Sequence, residues 1–174
     1  ISDINENPID NIIINFSEYI SPVIYKYNIT PNTITTISLL FTIMSLYELY
    51  KNNKLVAAIY WSLNYICDCL DGYIARKYNM ETEFGDWYDH VTDILGFITL
   101  IIIVLYKRKI NKYIIIILFI LIFCMFIHFN NQEKISKGKK SDSLDIIDKF
   151  KFIDIDIKYS KYLGSGTFNL LVVL

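Results

Sequence analysis

The sequence contains little cysteine, almost no net charge and no recognisable secretion signal. Its three cysteines, Cys67, Cys69 and Cys124, are odd in number and lie in apolar segments, which argues against a disulfide framework. The formal net charge is −1, and the lysines lie between apolar runs rather than along one basic face, so no nucleic-acid partner is expected. Acidic and asparagine residues interrupt the first apolar stretch, which is not the pattern of a cleavable signal peptide.

The charged residues that are present occupy short segments between long apolar runs, although 53% of the 174 residues are hydrophobic. Because a membrane-spanning helix needs about 20 mainly apolar residues, this segregation predicts an all-α, polytopic membrane helix bundle. We expect an interfacial amphipathic segment over residues 1–32 and one transmembrane domain over residues 33–174. The expected spans are 33–50, 55–75, 86–106, 113–129 and an incomplete one at 164–174.

The last of these spans is too short to cross a bilayer. Its eleven residues would extend, at about 1.5 Å each, over roughly half of a ~30 Å hydrocarbon core. The sequence also begins with Ile rather than Met. We therefore expect that this chain is a piece of a longer protein and that the last spans are missing.

Residues 8–26 place apolar side chains at helical spacing, with polar side chains opposite, and Pro22 is expected to bend or end this helix. Two alternatives stay open for the segment: an amphipathic helix lying in the membrane interface, or a helix packed against the bundle. Further along, Pro31 disfavours helical backbone before it, and Asn32 or Thr33 is expected to cap the first span. Asp86 is expected to cap the third span.

Lysine and arginine placement predicts the orientation of the bundle. Eleven of these residues fall on the side that holds the N-terminus, residues 76–85 and residues 130–161, and six fall on the other side. Because cytoplasmic loops carry the excess of positive charge, the first side is expected to be cytoplasmic.

Four aspartates lie at that end of the second and third spans. On insertion scales, a carboxylate at the centre of a span raises the free energy of membrane insertion by roughly 2.5–3.5 kcal/mol. A functional role is therefore expected for Asp68, Asp71, Asp89 and Asp93. Spacings of three and four residues place each pair on one helix face, and a short connection brings the pairs together. Four such groups repel one another, and hard divalent cations, with Mg²⁺ and substrate phosphates as the usual combination, relieve that repulsion. Two ions can be bridged by such a set, so we expect a metal-dependent site for a pyrophosphate at the membrane surface.

The residues around the aspartates fit the same chemistry. Gly72 and Ala75 remove side-chain bulk, so that a ligand or a neighbouring helix can approach closely. Arg76 adds a donor fork that matches phosphate. Taken singly, an intramembrane aspartate can serve only packing, and the two small residues can form a packing notch. His90 is interpreted as an interfacial polar residue rather than a metal ligand.

The whole pattern is similar to the signature of the class-I CDP-alcohol phosphotransferases, also called CDP-alcohol phosphatidyltransferases, at every fixed position. The matching residues are Asp68-x2-Asp71-Gly72-x2-Ala75-Arg76-x8-Gly85-x3-Asp89-x3-Asp93. Thr30-Pro31-Asn32-x-Ile34-Thr35 also resembles the start of the first core helix in that family, and the resemblance covers about residues 8–129. It implies a six-helix membrane fold, a homodimer and a site that opens to the cytoplasm.

The resemblance also implies a role for each matched residue. Metal binding would fall to the four aspartates Asp68, Asp71, Asp89 and Asp93, with Asp93 also acting as the general base. Substrate binding would fall to Gly72, Ala75 and Gly85, which make room for the cytidine nucleotide, and to Arg76, which holds its phosphates. With Mg²⁺ or Mn²⁺ bound, as two ions, an acceptor alcohol would attack the pyrophosphate of a CDP-alcohol and CMP would leave.

The identity of the CDP-alcohol is indicated in two conflicting ways. Asn79-x2-Thr82-x-Phe84-Gly85 resembles members that use CDP-diacylglycerol, whereas Tyr88-Asp89-His90 looks more like choline and ethanolamine phosphotransferases, whose acceptor is diacylglycerol. We favour phospholipid synthesis with CDP-diacylglycerol as donor and keep the second type as the alternative.

Two other classes of membrane protein use acidic clusters. Aromatic prenyltransferases carry their two acidic motifs on distant helices, whereas the four aspartates here fall within 26 residues. A divalent-cation transporter is the non-enzyme alternative. It would place acidic groups near mid-membrane, and it leaves the glycines and Arg76 without a role.

Overall fold

The computed structural model describes residues 7–107 and 164–173, together with Ile116, Ile120 and Tyr162. Over these residues the regular secondary structure is helical, with no strand. The helices are α1 (Pro8–Lys26), α2 (Pro31–Tyr50), α3 (Lys54–Lys77), α4 (Glu83–Lys107) and α5 (Ser165–Val173). Two of them, α2 and α4, are long and apolar enough to cross a membrane. The predicted all-α membrane bundle is therefore confirmed, while the expected span 113–129 lies outside the described residues apart from Ile116 and Ile120.

Both predicted caps are wrong by a few residues. The cap of α2 is Thr30, whose Oγ1 accepts the backbone N–H of Thr33 at 3.3 Å, because the fixed φ of Pro31 suits the first helical position. Helix α4 begins at Glu83, and the Oγ1 of Thr82 accepts the N–H of Gly85 at 3.0 Å. Asp86 therefore lies within the first turn of α4, where its negative charge still favours the helix N-terminus.

Helix α1 continues through Pro22, so the prediction that this proline could end the helix is wrong. Proline has no N–H, and the carbonyl of Glu18, four residues earlier, loses its usual partner. The hydroxyl of Ser21 donates to that carbonyl at 3.1 Å and replaces the missing bond. The same Ser21 oxygen accepts a hydrogen bond from Lys77 Nζ at 3.0 Å, which ties α1 to the end of α3.

Of the two alternatives for α1, the structure shows the packing against the bundle, and the location in the membrane interface stays a prediction. On one side Ile20 and Ile24 pack against a buried cluster formed by Ile34, Leu70 and Ile74 of α2 and α3, so α1 is part of the bundle. On the other side an apolar stripe is exposed, made of Ile12, Phe16, Tyr19 and Val23. An exposed apolar stripe on a helix otherwise packed against the bundle is suited to the membrane interface.

Helix α2 packs against both α3 and α4 through small polar residues. Its buried face carries Thr35, Ser38, Thr42 and Ser45. Ser45 Oγ donates to the carbonyl of Ala57 on α3 at 2.8 Å. On α4, a Cβ added to Gly96 would lie 2.7 Å from Thr42 Cγ2, so this glycine allows close contact. Small polar residues let helix backbones approach closely in a membrane and bond to each other, which makes α2 the helix that holds α3 and α4.

The outer faces of α2 and α4 are apolar. The exposed large residues there include Ile37, Leu40, Ile43, Ile94, Leu95, Ile98 and Ile102. In water such continuous apolar faces would promote association, whereas lipid solvates them. Polar groups inside and apolar groups outside are the arrangement expected for a membrane bundle.

The chain forms two compact units. One contains residues 1–11 and 111–171, and the other contains residues 12–110 and 172–174. In the first unit, Asn7 Nδ2 donates to Thr167 Oγ1 at 2.8 Å, and Ser165 Oγ donates to Asp10 Oδ2 at 3.0 Å. The second unit holds all four aspartates of the candidate site. The predicted division into residues 1–32 and 33–174 stays a prediction.

Candidate functional site

The four aspartates come together from two helices. Asp68 and Asp71 lie one turn apart on α3, and Asp89 and Asp93 lie one turn apart on α4. Carboxylate oxygens of Asp68, Asp71 and Asp89 all lie within 4.8 Å of one another. Asp71 is buried, Asp68 and Asp89 are half-buried, and Asp93 is exposed. The convergence expected from the spacing is therefore present, while the role of each carboxylate as a ligand stays a prediction.

The donor set fits a hard divalent cation. All three contributors to the close group are carboxylate oxygens, the ligand type that Mg²⁺ prefers. Oxygens that ligate one octahedral Mg²⁺ lie about 3 Å apart when adjacent and about 4.2 Å apart when opposite, so the three carboxylates would move closer together when the ion binds. A cation there would also relieve the repulsion between three ionised groups held so near each other.

Asp93 lies at the edge of this group. Its carboxyl group lies near that of Asp68, and it lies one turn of α4 beyond Asp89. It is not among the three carboxylates that lie within 4.8 Å of one another. Its exposed position leaves it accessible to a molecule that approaches the cluster from outside.

Arg76 folds back over Gly72, one turn before it on α3. A Cβ added to Gly72 would lie 3.1 Å from Arg76 Nη1 and 3.3 Å from Nη2, so the glycine lets the guanidinium lie close to the helix. Asp68, Gly72 and Arg76 follow at intervals of four residues and share one face of α3. Within the described part of the chain the guanidinium makes no ion pair with a carboxylate. Its donor fork is thus available to an anion beside the cluster.

Gly85 serves a contact between helix ends. A Cβ there would lie 2.8 Å from Asn32 Oδ1 of α2 and 2.9 Å from Thr82 Oγ1, which are closer than real Cβ contacts. The glycine therefore permits the start of α4 to lie against the start of α2. Ala75 is half-buried, and its carbonyl accepts the N–H of Met80 at 2.8 Å where α3 ends. That Gly72, Ala75 and Gly85 make room for a nucleotide stays a prediction.

His90 is turned towards its own helix. Its Nδ1 lies 2.7 Å from the carbonyl oxygen of Asp86 and 3.7 Å from Asp86 Oδ1, and both side chains are about half exposed. It is not a member of the close carboxylate group. This geometry agrees with the interpretation of His90 as an interfacial polar residue.

Sequence reasoning assigned no role to Thr35, which contacts the cluster from a third helix. Its Oγ1 lies 2.6 Å from Asp71 Oδ2, and both residues are buried. A signal for it does exist in the sequence. Small hydroxyl side chains recur every three or four residues along the apolar α2, at Thr35, Ser38, Thr42 and Ser45. Such a stripe predicts the face on which a membrane helix contacts its neighbours.

Comparison with known proteins gives a family match and several relatives. A family model described as CDP-alcohol phosphatidyltransferase matches residues 28–153. An archaetidylinositol phosphate synthase of Pyrococcus horikoshii is 34% identical over 79 residues, which are 45% of this chain and 42% of that protein. A CDP-diacylglycerol–glycerol-3-phosphate 3-phosphatidyltransferase of Rickettsia felis is 35% identical over 85 residues, 47% of each chain.

A plant protein is similar over the same length of chain. A CDP-diacylglycerol–inositol 3-phosphatidyltransferase of Arabidopsis thaliana is 29% identical over 80 residues, which are 46% of this chain and 34% of that protein. In each of these three comparisons the matched stretch spans less than half of the relative's length.

Proposed function

Because the chain belongs to the CDP-alcohol phosphatidyltransferase family, we propose that it is a membrane enzyme of phospholipid biosynthesis. It transfers a substituted phosphate group from a CDP-alcohol to an acceptor alcohol and releases CMP. The observation that carries this proposal is the convergence of Asp68, Asp71 and Asp89 within 4.8 Å. Convergent carboxylates at one end of a membrane bundle, beside the guanidinium of Arg76, suit a metal-bound pyrophosphate.

The names of the relatives favour CDP-diacylglycerol as the donor. Two of the three are named for a transfer that starts from CDP-diacylglycerol, and their named acceptors are glycerol 3-phosphate and inositol. We therefore propose CDP-diacylglycerol as donor and a small polyol or its phosphate as acceptor. Transfer from CDP-choline or CDP-ethanolamine to diacylglycerol is the alternative, supported by Tyr88-Asp89-His90.

In the proposed reaction the aspartates have two roles. Asp68, Asp71 and Asp89 would hold Mg²⁺ or Mn²⁺, as two ions, which would neutralise charge on the pyrophosphate. Arg76 donates to phosphate oxygens. Asp93 takes the proton of the acceptor hydroxyl as its oxygen forms a bond to the phosphorus that carries the alcohol. The bond between that phosphorus and the bridging oxygen breaks, and the electron pair leaves with CMP.

Exposed aromatic residues support a site near the membrane surface. Trp87 and Tyr106 are exposed on α4, and side chains of this type concentrate at the two membrane interfaces. They are separated by 19 residues, which corresponds to about 29 Å of helix, close to the thickness of a hydrocarbon core. Along the helix axis, Asp89 lies about 3 Å and Asp93 about 9 Å beyond Trp87. We propose that the end of α4 that carries Asp89 and Asp93 faces the cytoplasm. We also propose that the enzyme acts as a homodimer.

Release of CMP tests the proposal directly. The full-length protein in purified membranes is given CDP-diacylglycerol with glycerol 3-phosphate, inositol or inositol phosphate, and separately CDP-choline or CDP-ethanolamine with diacylglycerol. We expect CMP from at least one CDP-diacylglycerol pairing, complete dependence on Mg²⁺ or Mn²⁺, and loss on addition of EDTA.

The outcomes separate the candidates. CMP from the CDP-choline or CDP-ethanolamine pairing alone would contradict the proposed donor. No CMP from any pairing, together with Mn²⁺ uptake into proteoliposomes that contain the protein, would favour a divalent-cation transporter and overturn the enzyme proposal.

A further inference from the structure

The hydroxyl of Thr35 on α2 bonds to the carboxylate cluster of α3 and α4. Its Oγ1 lies 2.6 Å from Asp71 Oδ2 and 3.2 Å from the carbonyl of Pro31. A hydroxyl has one proton to donate, and 2.6 Å is the distance of a charge-assisted bond to a carboxylate, whereas 3.2 Å is long for any O–H···O bond. The proton is therefore directed at Asp71.

This bond is protected from water on both sides. Thr35 is 2% exposed and Asp71 is 4% exposed. Ile34, next to Thr35, packs against Leu70 and Ile74, which flank Asp71 on α3. The helix contact that surrounds the bond thus keeps the threonine and the aspartate in register, and water cannot replace a hydroxyl that is removed.

We propose that Thr35 is a positioning residue, which holds the Asp71 carboxylate in the orientation that binds the divalent ion. This inference rests on the proposed function of the cluster. With Oδ2 bonded to α2, rotation of the carboxylate group about the Cβ–Cγ bond is restrained, and the group stays beside those of Asp68 and Asp89. Mutation of a residue that hydrogen-bonds to a metal ligand and orients it typically lowers metal affinity or activity by about 10–100-fold.

Thr42 is a matched control on the same face of the same helix. It lies two turns further along α2, is 6% exposed, and donates from Oγ1 to the carbonyl of Ser38 at 3.2 Å. It bonds to no carboxylate among the described residues. Thr35→Val and Thr42→Val therefore make the same chemical change in the same kind of environment, and only the first removes a bond to the cluster.

The test is the affinity for Mn²⁺ alone, measured by electron paramagnetic resonance on the full-length protein in detergent. We expect Thr35→Val to weaken Mn²⁺ binding about tenfold or more, while Thr35→Ser and Thr42→Val stay within about threefold of the wild type. In an Asp71→Asn background, Thr35→Val should add no further loss, because the carboxylate that it positions is gone. If Thr35→Val does not fold, Thr35→Ala is measured in the same way.

Wild-type Mn²⁺ affinity in the folded Thr35→Val or Thr35→Ala protein would overturn the inference. So would an equal loss in Thr42→Val, or a full additional loss in the Asp71→Asn background. The CMP assay is independent of this measurement. A wild-type protein that binds Mn²⁺ through Asp71 and Thr35 but releases no CMP would overturn the proposed transfer and leave the positioning role intact. A wild-type protein that binds no Mn²⁺ would overturn both.

Discussion

At the scale of single residues, the carboxylates of the cluster differ in exposure and in partners. Asp71 is buried and accepts the hydroxyl of Thr35, whereas Asp93 is exposed at the edge of the group. A fixed, buried carboxylate suits a metal ligand, because it loses little freedom when the ion binds. A general base must instead reach the hydroxyl of a second substrate. The difference supports separate roles for the two residues.

Asp93→Asn separates proton transfer from metal binding. The amide cannot take the proton of the acceptor, so we expect CMP release to fall by about 10²–10⁴-fold. Mn²⁺ binding should change by only a few-fold, since Asp68, Asp71 and Asp89 are unchanged. The measurements are CMP release under saturating donor and Mn²⁺ titration of the same preparation.

Asp86→Asn is the control for that substitution. Asp86 is an exposed aspartate on the first turn of the same helix, and its side chain approaches only His90 among the ion pairs described. The Asp86→Asn protein should therefore release CMP at the wild-type rate. Normal CMP release by Asp93→Asn would show that another group is the base, and a loss of Mn²⁺ binding as large as the loss of turnover would make Asp93 chiefly a ligand.

At the scale of elements, α1 shows how one side chain can keep a helix continuous. Ser21 is fully buried, donates to the carbonyl that Pro22 leaves without a partner, and accepts from Lys77 of α3. The same hydroxyl thus preserves the helix and attaches it to the bundle. Helix α1 is thereby held next to the end of α3 that carries Arg76, with its exposed apolar stripe on the other side.

Ser21→Ala should weaken this attachment. It removes the hydrogen bonds to the Glu18 carbonyl and from the Lys77 ammonium, each worth about 0.5–1.5 kcal/mol, while Lys77 keeps its contacts with the rings of Tyr73 and Tyr78. Ser17→Ala is the matched control, since Ser17 is equally buried but, among the described residues, donates only to the carbonyl of Ile13 in its own helix. Thermal unfolding of the purified protein in detergent should show a clearly larger drop for Ser21→Ala. Equal midpoints for the two variants would contradict the role given to Ser21.

At the scale of the whole molecule, the distribution of polar and apolar groups defines the surroundings of the bundle. Small hydroxyl residues lie between α2 and its neighbours, and large apolar residues cover the outer faces of α2 and α4. The connection between α2 and α3 and the connection between α3 and α4 lie at opposite ends of α3. We therefore expect them on opposite sides of the membrane. The excess of lysine and arginine predicts that the connection between α3 and α4 faces the cytoplasm.

Labelling of single cysteines tests this orientation. Lys51→Cys lies in the exposed connection between α2 and α3, and Glu81→Cys lies in the exposed connection between α3 and α4. On sealed inside-out vesicles we expect a membrane-impermeant maleimide to label Glu81→Cys at once and Lys51→Cys only after detergent is added. The wild-type protein, labelled in the same way, serves as the control for labelling of the native cysteines. The reverse pattern would place the cluster on the outer side.

Much of this architecture could be predicted from local patterns. The positions of α1 to α4 follow from helical spacing and apolar runs, and the expected bounds differ from the observed ones by a few residues. Helix ends were predicted less well, because the caps of α2 and α4 depend on which of several neighbouring polar side chains reaches a free N–H. The continuation of α1 past Pro22 depends on Ser21 for a similar reason.

The sequence by itself determined which residue types form the site, because aspartates spaced three and four residues apart share one face of each helix and a short connection makes the two helices neighbours. Only the tertiary structure decided how those aspartates differ. The bond from Thr35 to Asp71 and the contact of Gly85 with Asn32 join residues that are far apart in the chain, and the exposure of Asp93 depends on how the helices pack around it. No local pattern specifies such contacts, since they depend on the rotation of α2 against α3 and α4, which is set by the packing of all three helices together.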